Sequence, residues 1–470
     1  MDIGGNDVCM SPFSGLTIGP MGDIQLCCMA SWYSLGKLQE VDDLEEFYNS
    51  SPQLVEIRRL FSTGQYGKFE PCTKACYHKE MAGDTGIVKV RQETNAYKLD
   101  FFKEDFEKIA CGKKVPIRFL EVTTSNQCQA SCTMCSSQFS SKWAEIEEEN
   151  NSSARWRYFR GGKNHGLTRI DDPEIEKIVK VIPGLTHFSL KGGEPFADIR
   201  NIYLLEKFAE LNKNNAQIYI TTNAGILTDE EFKIIQSVVK KGCDMKIVCS
   251  IDNVGSLYEY IRSIPFERSI KNVKRLYSIG CNVQIYMTYS TWNWFNFGDF
   301  LEYMVEDKAW EWLDWISAFN VVWNGPVESD PRILSEELYQ EGKRKTLAAV
   351  EKYGKILWDN GCFNPSDTIN AMESKLYKAN TKTEELLVGQ HWIFKEYVDR
   401  MSDNRMHDIL ELVPELKDYY FNGRNIDEDA EIYLQNNQIL YFEDGVAKEK
   451  PALERYLMKK GVSRPPQWTV

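Results

Sequence analysis

Ile117-Arg118-Phe119-Leu120-Glu121-Val122 runs into a loop that carries Cys128-x3-Cys132-x2-Cys135, and this stretch decides how the chain is read. The apolar run predicts a strand, and the loop leaving it presents three thiols. Three thiolates at that spacing can hold three irons of a 4Fe–4S cluster and leave the fourth open to a substrate, since such clusters are ligated by cysteine sulfur. Structural zinc takes four ligands in a closed tetrahedron. No fourth Cys or His follows nearby; the next histidine is His165.

Downstream, His187-Phe188-Ser189-Leu190 leads into Gly192-Gly193-Glu194-Pro195, followed by Ile218-Tyr219-Ile220-Thr221-Thr222-Asn223 and Ile247-Val248-Cys249-Ser250-Ile251-Asp252. With the CxxxCxxC loop, these four elements in this order resemble the radical SAM superfamily. The resemblance implies a partial (β/α)6 barrel that binds S-adenosylmethionine at the open iron and cleaves it reductively to a 5′-deoxyadenosyl radical. It implies further that Glu194 meets the methionine ammonium. Asn223 and Ser250 would reach the ribose or carboxylate, and Arg262 would pair the cofactor carboxylate bidentately. Read from chemistry alone, the Gly192-Gly193 pair permits close backbone approach, and Asn223 and Ser250 end strands where open α/β sheets place ligands. Met134, before the third cysteine, stands where the family often has an aromatic residue; a thioether can still cover an adenine face.

Five further cysteines precede the barrel: Cys9, Cys27, Cys28, Cys72 and Cys76. Cys9 and Cys27 flank a hairpin pattern reversing at Gly19-Pro20-Met21-Gly22-Asp23. The arrangement Cys9-x12-Gly22-x4-Cys27 resembles the start of SPASM and twitch auxiliary-cluster domains. Cys72 and Cys76 then complete a four-thiolate set for a second 4Fe–4S cluster, with Cys28 as neighbour or substitute. Four cysteines also suit a structural zinc, and the reading of the residues leaves both open.

The 470 residues suggest about three domains: an N-terminal twitch-like cluster domain over 1–110, the barrel over 111–325, and a mostly helical extension over 326–470 that is a candidate lid or dimerisation element. Strands are predicted near 117–123, 186–191, 217–222, 245–251, 283–289 and 317–323. Helices are predicted near 43–63, 97–110, 142–149 and 172–182, and then over 334–359, 366–378, 383–399 and 404–411. A late hairpin is expected over 432–434 and 439–442. Between the first two barrel strands, Arg155 to His165 interleaves basic and aromatic residues, a pattern that fits a solvated loop or a grip on phosphate.

Apolar content of 43% and charged content of 27% are those of an ordinary globular protein. Net charge −13 argues against broad nucleic-acid binding. No apolar stretch reaches the length of a membrane span, no secretory signal is evident, and thirteen cysteines then read as metal chemistry in the cytoplasm. The expected partners are a peptide or small-molecule substrate and a one-electron donor such as flavodoxin or ferredoxin. Auxiliary-cluster relatives often modify peptide or protein side chains; the alternatives are oxidation or rearrangement of a sugar or nucleotide metabolite, and a non-catalytic iron–sulfur scaffold. No leader-peptide-binding segment is apparent at the N-terminus. The hydrogen donor or base is unassigned: Cys249, Asp252 and one of Tyr286 or Tyr289 are candidates for the barrel interior, the two tyrosines being an odd number of residues apart.

Overall fold

The computed structural model describes residues 9–77, 104–109, 111–149, 164–212, 216–322, 326–373, 384–402, 405–421, 441–443 and 446–448. Six parallel strands follow one another in space as in sequence: β4 (Phe119–Thr123), β5 (His187–Lys191), β6 (Gln217–Thr222), β7 (Asp244–Ser250), β8 (Asn282–Tyr289) and β9 (Trp315–Val321). Because the order never reverses, every crossover winds the same way and the sheet curls with its helices on one face. Burial alternates strictly along β6 and β8: one set of side chains is buried toward the helices and the other is half-exposed toward the lumen. Fully covered parallel strands are buried on both faces, so the alternation marks an open interior.

Three strands of the N-terminal region extend this sheet rather than forming their own. β1 (Gly15–Ile18) pairs in parallel with β4, with Ile18 opposite Val122. β2 (Asp23–Gln25) returns antiparallel to β1, and β3 (Gly36–Lys37) forms the edge. Since β1 and β4 run the same way, the turn after β1 lies at the same barrel mouth as the cysteine loop after β4.

The helix expected over 43–63 is two, α1 (Leu44–Ser50) and α2 (Pro52–Ser62), because Pro52 disfavours helical geometry at Ser51. The barrel helices are α3 (Ser141–Glu149), α4 (Asp172–Val181), α5 (Ile199–Leu211), α6 (Asp229–Lys240), α7 (Gly255–Arg262), α8 (Phe266–Ser278) and α9 (Phe297–Glu306). The C-terminal region contributes α10 (Glu336–Asp359), α11 (Pro365–Glu373), α12 (Glu384–Met401), α13 (Ile409–Leu412) and α14 (Glu415–Tyr420). The helix expected over 404–411 starts only at Ile409, because the Asp408 carboxylate caps it by accepting from the Leu410 N–H at 2.8 Å. Tyr441–Glu443 pairs with Val446–Lys448; the expected first strand of the late hairpin, 432–434, lies outside the described residues. Residues 155–163 and the tail likewise lie outside them. Trp292, fully buried, stacks on Phe394 of α12 and donates to Ser329 Oγ at 2.9 Å, which ties the extension to the barrel wall.

Candidate active site

The cysteine loop is fastened at nearly every residue. Asn126 is buried; its amide donates to Ser137 O at 2.9 Å and Gly166 O at 2.7 Å, and its carbonyl accepts from the Thr168 N–H. The Cys128 N–H donates to Ser141 Oγ at 3.1 Å, Ser140 Oγ to Ala130 O at 2.6 Å, and the Trp143 indole to Cys132 O at 2.8 Å. The Thr133 N–H donates to Ile261 O at the end of α7. Cys128 and Cys132 are buried and Cys135 is half-buried. Burial, followed by the neighbouring Cys132 and Glu194 charges, pushes the Cys128 thiol well above its usual range. Such a set is held as thiolates only against bound cations, which is the chemistry irons supply. Among the described residues no three His, Cys, Asp or Glu side chains converge as around one metal ion; the fit to a cluster rests on this donor set and its surroundings.

The two glycines after β5 admit close backbone approach from a neighbouring loop. Gly192 has φ +138°, and a Cβ there would stand 2.6 Å from Ser125 O; at Gly193 it would stand 2.3 Å from Gln127 O. Their missing side chains admit the cysteine loop itself: the Gly193 N–H donates to Ser125 O at 3.1 Å and the Glu194 N–H to Gln127 O at 2.8 Å. Both glycines also line the cavity described below. Glu194 is buried. Its carboxylate accepts from Thr222 Oγ1 at 2.6 Å, the Asn223 N–H at 2.7 Å and the Phe196 N–H at 3.2 Å. Burial raises its carboxyl to about 7 against the pull of those donors.

Asn223 lies beside Cys128, its amide nitrogen 4.0 Å from the sulfur, and its carbonyl accepts from Gln129 Nε2 at 3.0 Å. Ser250 lines the cavity at the end of β7. Arg262 is held in the wall: its Nε donates to the fully buried Asp252, and Nη1 lies 3.6 Å from Cys132 Sγ. Asp252 also accepts from the Thr288 N–H at 2.9 Å, so it is a wall group holding Arg262 rather than a lumenal acid.

A cavity of about 760 Å³ joins these groups to the N-terminal region. Its lining includes the three cysteines, Gly192, Gly193, Asn223, Ser250 and Arg262 on one side, and Pro20, Met21, Cys28, Ser31 and Trp32 on the other. Among the described residues nothing from 326–470 lines it. Cys27 stands beside Cys9 and Cys28; burial, then their charges, raises its thiol to about 12. The turn Cys28–Ala30 packs on Thr73–Tyr77, which carries Cys76, and Tyr33 meets Phe69 edge-on at 5.2 Å. Thiols gathered in this way also suit bound cations.

Within the lumen, Lys191 and Glu121 pair at 2.5 Å and both line the cavity, a pair that the sequence reading did not single out. Its signal was alternation: a Glu within an apolar strand next to a Lys ending the neighbouring one. Tyr286 lies half-buried near Lys191 and Tyr219, whereas Tyr289 is fully buried against Trp294 and Phe297. Tyr286 is therefore the inward tyrosine. Cys249 packs on the helix-facing side, fully buried, its thiol pushed up by desolvation.

A sequentially wound, six-stranded open barrel with a triad of thiols over its first strand defines an iron–sulfur barrel enzyme. Residues 122–304 match the radical SAM superfamily and residues 9–78 match the SPASM iron–sulfur cluster-binding domain. The chain is a radical SAM enzyme whose SPASM-type domain precedes the barrel. Its cofactors are a 4Fe–4S cluster, S-adenosylmethionine and an auxiliary iron–sulfur cluster. No protein of curated function matches it. Among solved structures it is similar to anSMEcpe with bound AdoMet and Kp18Cys peptide, at 15% identity and TM-score 0.37 over 57% of this chain and 69% of that one. It is also similar to Streptococcus suis SuiB bound to the precursor peptide SuiA, at 17% identity and TM-score 0.33, over 68% of this chain and 60% of that one. Among the described residues no helix is long and apolar enough to cross a membrane.

Proposed function

We propose that the chain modifies a peptide or protein side chain inside this cavity. In this reading Cys128, Cys132 and Cys135 ligate the catalytic cluster, while Cys9, Cys27, Cys72 and Cys76 ligate a second 4Fe–4S cluster. Gly192, Gly193, Glu194, Asn223, Ser250 and Arg262 hold S-adenosylmethionine. Glu194 keeps lone pairs for an ammonium beyond the donors it already has. Arg262, anchored through Nε by Asp252, turns its remaining N–H groups to a carboxylate. Held there, the cluster and S-adenosylmethionine would supply the radical chemistry that removes hydrogen from an unactivated carbon.

The observation that carries the substrate reading is the make-up of the cavity. Its lip is apolar and exposed: Met21 is 50% exposed, Trp32 61% and Phe139 50%. Its interior offers the Lys191–Glu121 pair. Exposed apolar groups at a cavity mouth mark an interaction site, and a polar floor beneath them suits one side chain of a longer polymer. The chain acts in the cytoplasm with flavodoxin or ferredoxin as electron donor, and residues 1–110, 111–325 and 326–470 are its three units.

The test is anaerobic turnover with dithionite, S-adenosylmethionine and perdeuterated peptide pools. Deuterium in 5′-deoxyadenosine is expected from a peptide. Transfer from a deuterated sugar nucleotide and from no peptide would replace the substrate class. Absence of any 5′-deoxyadenosine would sink the enzyme assignment itself.

A further inference from the structure

Arg405 lies far from the cysteine motif in sequence and outside the cavity. It is 8% exposed, and among the described residues no carboxylate pairs with it; the neighbouring Asp408 turns its carboxylate to the Leu410 N–H. Burying a cation is costly, so its placement needs a reason. Its guanidinium makes three contacts. Nη1 donates to Tyr260 O at 3.1 Å and to Ser263 Oγ, and Nη2 donates to Tyr397 OH at 2.7 Å. Its plane lies near the faces of Tyr260 and Trp143, with centroid distances of 5.5 and 5.8 Å.

Each partner leads to the cluster loop. Tyr260 O is a last-turn carbonyl of α7, one of the groups a helix leaves unpaired at its end. Ser263 is the C-cap of that helix, held at φ 57°. Ser131, between the first two motif cysteines, donates to Ser263 Oγ at 3.0 Å. Between Tyr260 and Ser263 lie Ile261, whose carbonyl receives the Thr133 N–H, and Arg262, which reaches Cys132. Trp143, under the guanidinium, holds Cys132 O. One side chain of the C-terminal extension thus closes the helix end on which the cysteine loop rests.

We propose that Arg405 is a positioning residue of the three-cysteine cluster: it fixes the α7 cap and the Ser131 turn, and its positive charge favours the reduced, more negative cluster. This rests on the assignment of that cluster to Cys128, Cys132 and Cys135. Groups just outside the ligands commonly alter activity about 10- to 100-fold when removed.

The experiment uses the full, anaerobically reconstituted chain. The electron paramagnetic resonance signal that changes on adding S-adenosylmethionine identifies the cluster, and its midpoint is titrated. Arg405→Gln is expected to retain its iron, to shift the midpoint to more negative potential, and to lower uncoupled 5′-deoxyadenosine formation about 10- to 100-fold. Arg405→Lys should restore the midpoint but not the full rate, because one ammonium cannot span the three acceptors. An unchanged midpoint in iron-loaded Arg405→Gln overturns the proposal. If Arg405→Gln fails to load iron, Ser263→Ala decides: it removes the link to Ser131 and leaves the arginine, and a wild-type rate overturns the proposal. A wild-type protein lacking any signal that responds to S-adenosylmethionine would overturn the cluster assignment as well.

Discussion

Cys128, Cys132 and Cys135 sit on a loop fastened by Asn126, Ser140, Ser141, Trp143 and Ile261, whereas Cys28, Cys72 and Cys76 sit on single helical turns and Cys27 just ahead of one. Near Cys27 the Ala30 N–H donates to Cys27 O at 3.3 Å and Gln25 Nε2 to Ser31 O at 2.6 Å. Near Cys72 and Cys76, Thr73 Oγ1 donates to Gly67 O at 2.6 Å. The contrast teaches how a protein treats a reactive site and an auxiliary one. A loop that must keep a coordination position open is shaped by protein bonds before metal arrives. A closed four-thiolate set can take its shape from the metal, since binding free energy then becomes folding free energy.

The sharpest way to break this comparison is to remove one thiol from each set. Cys132→Ala should abolish 5′-deoxyadenosine formation with dithionite while leaving the N-terminal iron in place. Cys72→Ala should lower iron from about eight to about four per chain and loosen the 9–77 region, read as faster proteolysis there. Equal effects of the two variants on 5′-deoxyadenosine, with equal iron, would erase the distinction.

A smaller effect should appear in the pH dependence of stability, and it belongs only to the preformed side. Glu194 is raised to about 7 by burial, so the folded state binds its proton more tightly than the unfolded state. Its favourable contribution is complete below the unfolded pKa, about 4.3, and is lost as pH rises through 7, at most roughly 4 kcal/mol. Thermal melts between pH 5 and 8 should show this decline in the wild type and a flatter profile in Glu194→Gln. Parallel profiles would show that Glu194 does not carry it. The smallest expected effect lies at the cavity lip. Trp32→Ala should leave stability within about 0.5 kcal/mol, as surface substitutions do. It should raise KM roughly tenfold for any peptide that gives deuterium transfer, the order of one buried aromatic anchor.

The parts of the site legible in the sequence were those carried by local spacing. Three cysteines within eight residues, a Gly-Gly-Glu after an apolar run, and polar residues closing two further runs need no long-range information to be noticed. Their partners were less legible. The reason for Gly192 and Gly193 is the carbonyls of Ser125 and Gln127, more than sixty positions earlier. Arg262 was visible as a basic residue at a helix end, but its anchoring by Asp252 depends on how α7 returns over β7. Alternation showed that Tyr286 and Tyr289 face opposite ways, yet which one faces inward required the sheet to be curled.

By itself the sequence determined the chemistry of the donors: sulfur at a spacing that leaves one iron open, on a chain whose apolar runs alternate with amphipathic helices. Tertiary structure decided everything that depends on chain reversal. It laid β1 alongside β4, so that Cys28 and Trp32 share a cavity with Cys128, Cys132 and Cys135, and it brought Arg405 from the far end of the chain to the helix behind them. The reason is physical: ligand type and local geometry are properties of a few covalently linked residues, whereas the field, walls and supports of a site come from segments that meet only when the apolar core is buried.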